Sequence, residues 1–210
     1  MNKILKSALI MMASLISFSA LAAPVAFIEG VHYKATAQII PTSDASKVEV
    51  MELFSFSCPH CNNLEPLVHE WQTTLSDDVV FNQVPAIFRE SWMQLAKVYY
   101  AAEATGDLEQ LHPLLFKAFH VDKRHLNTEE QLLDFVAEQG IDREAFAKTM
   151  NSFSVKSKVK RALVISQTSG ITGVPAMIVN GKYRTDATLA GSMANMLKVV
   201  DFLILQEANK

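Results

Sequence analysis

Cys58 and Cys61 are the only two cysteines in the 210-residue chain. They lie in the run Phe54-Ser55-Phe56-Ser57-Cys58-Pro59-His60-Cys61, where an expected strand gives way to an expected helix. Residues three apart on a helix share one face, so the two sulfurs are close enough to bond. A disulfide between them closes a tiny loop, and short loops gain least from cross-linking. Stapling is therefore a poor account of the pair, and thiol–disulfide exchange a good one.

Placing Cys58 at the helix N-cap and Pro59 at the first helical position sharpens this reading. Proline suits that position because its missing N–H would be unpaired there anyway. The free N–H groups and positive dipole end of the helix favour a thiolate at Cys58. Cys61, one turn further in, is expected to be the more buried thiol and to resolve mixed disulfides formed at Cys58. His60 gives the chemistry a direction. A cationic imidazole at a helix N-terminus is relieved by a neighbouring thiolate but not by a neutral disulfide. The reduced state is thereby favoured, and a couple with a stabilised reduced form is an oxidant.

Glu52 lies six residues before Cys58, in strand alternation with Val48 and Val50. Two readings of it stand. It is either a charge at the sheet margin with its head in water, or a partly buried acid of raised pKa that handles the proton of Cys61. Metal binding is disfavoured, since structural zinc needs a second ligand pair and the chain offers no second CxxC and no His-x₃₋₅-His. Haem attachment fails because Asn62 follows Cys61. No cofactor is expected beyond the Cys58–Cys61 disulfide itself.

The N-terminus opens with Lys3 and Lys6, continues as an apolar run over 8–21 and reaches Ala20-Leu21-Ala22. This is the pattern of a cleaved export signal, with cleavage expected after Ala22. The run is shorter than the roughly 20 apolar residues that span a bilayer. Residues 1–22 carry two lysines and no acid, leaving 17 basic and 22 acidic side chains beyond them. That balance argues against a nucleic-acid partner. An exported chain also sits where disulfides persist.

The elements that must position the cysteines follow from periodicity. A short edge strand is expected over 31–35, a strand over 48–56, a helix over 59–75 with Pro66 kinking it, and a strand over 79–84. From 88 to 167 the pattern is helical only: 91–104, 108–120 broken by Pro113, a helix begun by the capping box Thr128-Glu129-Glu130-Gln131, 142–150 and 153–168. Then come a strand over 176–179, the hairpin signal Asn180-Gly181, a strand over 182–184 and a helix over 192–206. The order implies an α/β fold, a mixed central sheet flanked by helices and interrupted by an all-helical insertion. The expected division is 1–22 signal, 23–87 first part of the sheet domain, 88–167 inserted helical domain and 168–210 second part.

The cysteine run, together with Gly173-Val174-Pro175-Ala176-Met177-Ile178-Val179-Asn180-Gly181-Lys182-Tyr183 and Asn151-Ser152-Phe153-Ser154-Val155-Lys156-Ser157, resembles the DsbA family of periplasmic thiol:disulfide interchange proteins. The resemblance is weaker over 85–140. It implies a thioredoxin fold and a cis Val174–Pro175 bond facing the cysteines, with Val174 and Pro175 binding extended substrate. It matches Glu52 to the buried acid of that fold. It implies reduced secreted polypeptides as partners, a quinone-linked membrane oxidase of the DsbB type, and a periplasmic location. A monomer is expected. The competing readings are a disulfide isomerase or reductase on the same fold, a periplasmic peptide-binding chaperone, and a glutathione-using transferase.

Overall fold

The computed structural model describes residues 26–210, so the expected export signal over 1–22 lies outside the described residues. Five strands form one sheet: β1 (Lys34–Ala35), β2 (Val48–Phe54), β3 (Val79–Pro85), β4 (Ala176–Val179) and β5 (Tyr183–Asp186), in the order β1-β5-β4-β2-β3. β2 runs parallel to β3, whereas β4 pairs antiparallel with both β2 and β5. β2 is buried along its whole length, as expected of a central strand covered on both faces.

Alternation along β2 divides the core in two. Val48 and Val50 face a cluster built with α1 (Pro59–Gln72) and the last helix, α8 (Met193–Ala208), through Leu64, Val68, Met196, Val200 and Leu203. Met51 and Leu53 face the helical block through Leu95, Leu111, Phe116, Phe146 and Val159. That block comprises α2 (Glu90–Thr105), α3 (Leu108–His120), α4 (Glu129–Glu138), α5 (Arg143–Met150) and α6 (Phe153–Thr168), all between β3 and β4. This is the thioredoxin-like α/β architecture with a helical insertion.

Several local expectations are met for visible reasons. Thr128 accepts from the Gln131 N–H while the Gln131 side chain returns to the Thr128 N–H, closing the capping box of α4. Asn180 (φ 50°) and Gly181 (φ 65°) make the turn between β4 and β5, with Lys182 N–H donating to Val179 O at 3.0 Å. A Cβ on Gly181 would lie 1.9 Å from the Ile40 carbonyl oxygen, so only glycine fits.

Others need correction. Pro113 does not break its helix; α3 is continuous through it. A mid-helix proline costs about 3 kcal/mol. Burying Leu111, Leu115 and Phe116 on one face returns about 1.5–3 kcal/mol each, so packing wins. Pro66 lies inside α1, as expected, and Leu64, Val68 and Trp71 of that helix are buried. The strand expected over 48–56 ends at Phe54, because the chain turns at Ser55, whose carbonyl accepts from Cys58 N–H at 3.0 Å. The strand expected over 31–35 shortens to β1, with one isolated bridge between Glu29 and Tyr33. A four-residue helix, α7 (Ala187–Ala190), was not anticipated; the Asp186 carboxylate caps it by accepting from Thr188 and Leu189 N–H. Among the described residues, no helix is long and apolar enough to cross a membrane.

Candidate functional site

The end of β2 delivers the chain to Cys58, the N-cap of α1, with Pro59 in the first turn. Cys58 has extended backbone angles (φ −91°, ψ 118°), and its side chain caps nothing. Its sulfur is therefore free to face the loop before β4, where it lies 3.3 Å from the Val174 carbonyl oxygen. Val174–Pro175 is a cis peptide bond. The structure thus brings together Cys58, Cys61, Val174 and Pro175 from segments 116 positions apart.

The two thiols differ in access and in acidity. Cys58 keeps 9% of its surface and Cys61 none. The Cys58 thiol is lowered to about 6, first by the hydrogen bond from the Cys61 side chain, then by backbone N–H groups of Cys61 and His60, with the His60 charge last and burial opposing. Cys61 is held far above the usual thiol range by its bond to Cys58 and by burial. At neutral pH the outer sulfur is a thiolate and the inner one a thiol.

His60 is exposed and borders a cleft of about 470 Å³ on the side of the Val174–Pro175 loop. Val174, Pro175, Thr172, Asp186, Thr188 and Met193 also line this cleft, so α7 serves as one of its walls. Glu52 is completely buried. Burial first, and the neighbouring Glu65 carboxylate second, raise its pKa to about 8. Gln83 Nε2 donates to Glu52 Oε2 at 2.9 Å and to Glu65 Oε1 at 3.0 Å. Glu52 is thus not a margin charge with its head in water.

The family model of the DSBA-like thioredoxin domain matches residues 49–198. The chain belongs to the DSBA-like thioredoxin domain family. It is 42% identical over 168 residues to the thiol:disulfide interchange protein DsbA of Azotobacter vinelandii, covering 80% of this chain and 78% of that one. It is 36% identical over 207 residues to the DsbA of Pseudomonas aeruginosa, covering 99% and 97%. The crystal structure of Pseudomonas aeruginosa DsbA superposes with a TM-score of 0.81 at 37% identity, over 86% of this chain and 94% of that one. Like these DsbA relatives, the chain is a protein disulfide oxidoreductase.

Against that family background, four residues near the cysteines escaped the reading of motifs. Gln83 sits opposite Glu52 in the parallel β2–β3 register, a pairing that a register argument could have found. Glu65 lies four residues after Cys61, on the same face of α1. His120 Nε2 lies 2.8 Å from the Phe56 carbonyl oxygen, tying the end of α3 to the loop that carries Cys58. His112 lies 3.1 Å from Glu65. Neither histidine had a local signal, since each acts across the block–sheet boundary.

Proposed function

We propose that this chain, with Cys58 and Cys61 joined as a disulfide, oxidises reduced polypeptides in the periplasm through a mixed disulfide on Cys58. A substrate thiolate attacks Cys58 Sγ and the Cys58–Cys61 bond breaks, with Cys61 as the leaving sulfur. Cys61 then takes a proton, for which Glu52 is the carrier. A second substrate thiolate attacks the substrate sulfur of the mixed disulfide, and Cys58 departs as a thiolate. Two electrons pass from the substrate dithiol to the cysteine pair. Of the two substrate protons, one is matched by that kept on Cys61 and one goes to solvent.

The observation that carries this reading is the unequal pair: Cys58 at the N-terminus of α1, facing the Val174 carbonyl with its thiol lowered by the Cys61 side chain and nearby backbone N–H groups, beside a fully buried Cys61 whose thiol is raised. A low-pKa sulfur is a good leaving group, so release of the oxidised substrate is favoured. The Val174 carbonyl and Pro175 form the wall against which an extended substrate strand is held, with His60 bordering the same cleft. In this reading residues 1–22 are the export signal, residues 88–167 an inserted domain between 23–87 and 168–210, and the working form a monomer. No cofactor beyond the disulfide is involved. A quinone-linked membrane oxidase of the DsbB type re-forms the disulfide, taking up the two electrons.

The test is a redox titration of residues 23–210 in glutathione buffers, followed by tryptophan fluorescence. The expected midpoint is more oxidising than glutathione itself. A midpoint as reducing as that of a thioredoxin, about −270 mV, refutes the donor assignment.

A further inference from the structure

The helical block reaches the redox site at a second place that the thiol chemistry above leaves unused. His112, in the middle of α3, sits in a cage of Phe54, Phe56, Tyr99 and Phe116, with ring centroids at 5.4, 5.2, 6.2 and 5.2 Å. Its Nε2 lies 3.1 Å from Glu65 Oε2, and its Nδ1 faces no polar partner among the described residues. Glu65 spends its other oxygen on Gln83, whose single amide nitrogen also holds Glu52. The row Glu52–Gln83–Glu65–His112 therefore runs from a fully buried acid to a partly exposed one, closed at its outer end by an imidazole from the inserted block.

We propose that His112 is a positioning residue for Glu52: it keeps the Glu65 carboxylate at Gln83, and so keeps a second acid beside the buried one. This rests on the reading of Glu52 as the proton carrier for Cys61. The physical argument is a choice between two places for Glu65. Its side chain is 24% exposed, so without an inner partner the carboxylate gains by turning to water. Once it leaves, or takes a proton where it stands, the like charge beside Glu52 is gone and Gln83 serves Glu52 alone. Both changes favour the ionised form of Glu52. The titratable groups in contact with His112 among the described residues are Glu65 from α1 and Tyr99 from α2, whose hydroxyl burial keeps protonated; Glu109, one turn earlier in α3, is exposed. Phe54 and Phe56 close the sheet side without charge. Gln83 is an amide and passes no proton, so His112 acts through charge placement rather than as a relay.

The experiment follows the Glu52 carboxyl carbon by NMR against pH in reduced protein (residues 23–210) carrying ¹³C-labelled glutamate, with Glu52→Gln identifying the signal. His112→Phe keeps a ring in the cage but no polar atom, and the Glu52 midpoint is expected to fall by about one pH unit. His112→Gln restores a polar atom and is expected to keep the wild-type midpoint. Glu65→Gln is expected to lower the midpoint as His112→Phe does, and His112→Phe added to it to do nothing more. An unchanged midpoint in folded His112→Phe, or a His112→Gln shift as large as that of His112→Phe, overturns the proposal. If His112→Phe does not fold, Glu65→Gln, which leaves the cage intact, decides: no fall in the Glu52 midpoint overturns it equally. The proton-carrier reading fails separately, if Glu52→Gln leaves the pH profile of thiol exchange unchanged.

Discussion

Acidification isolates what the Cys58 thiolate contributes to the reduced fold. In the folded chain this thiol ionises at about 6, against about 8.5 for a thiol in an unfolded chain. A depressed folded pKa stabilises the fold above the unfolded value, and the benefit is lost as pH falls through the folded one. Two-state linkage gives a ceiling of about 2.6 kcal/mol at pH 8, about 1.4 at pH 7 and close to zero at pH 5. Cys58 keeps a small opening to solvent at the edge of the core, and with screening taken to remove roughly half, about 1 kcal/mol remains between pH 8 and pH 5. The assay is urea unfolding of the reduced protein and of reduced Cys58→Ser at pH 8, 7, 6 and 5. The stability gap between them is expected to shrink on acidification, most between pH 8 and 7, nearly as much between pH 7 and 6, and little below pH 6. A gap that stays constant, or widens in acid, refutes the thiolate argument and with it the reason for calling the couple an oxidant.

Two further outcomes follow from buried groups. Glu52, with a folded pKa raised to about 8, favours the fold only while it is protonated, and its contribution is lost as pH rises from the ordinary carboxyl range through 8. Glu52→Gln is therefore expected to match wild type at pH 4, to exceed it by on the order of 2 kcal/mol at pH 8 in urea melts, and to slow substrate oxidation; equal stability at both pH values would speak against a buried acid. Gly181→Ala puts a Cβ into the Ile40 carbonyl and an alanine at positive φ. It is expected to cost about 2–3 kcal/mol or more, a fall in Tm of roughly 4–12 °C by calorimetry, and an unchanged Tm would show that the turn relaxes freely.

How far the sequence carried the reading depends on the range of the interactions. β2 was legible because alternation is local, and so was the Asn180-Gly181 turn, whose backbone requirement is written in two residues. The cysteine pair was legible because three residues and a helix start define it. Pro113 misled because its local cost was visible while the burial of Leu111, Leu115 and Phe116 in a core built from distant segments was not. Glu52 stayed undecided for the same reason: its neighbours Gln83 and Glu65 arrive from another strand and the next helix. The weight given to His60 shifted as well. Its backbone N–H lowers the Cys58 thiol more than its charge does, and a backbone contribution is one that any residue but proline supplies at that position.

The contact between Cys58 and the Val174 carbonyl has a consequence for the order in which the chain is completed. β2 and β3 can pair as soon as residues 48–85 are available, but β4 fills the other side of β2 only after the whole helical block has followed. For that interval β2 has an open edge, and Cys58 stands at its tip with no opposite wall. A chain delivered from its N-terminus thus exposes a nucleophilic sulfur and an unpaired strand edge together, the two features most prone to capture by another chain. Long separation between the halves of a site is paid for in vulnerability during biogenesis, and truncations ending before Val174 should be recovered chiefly as disulfide-linked or aggregated species.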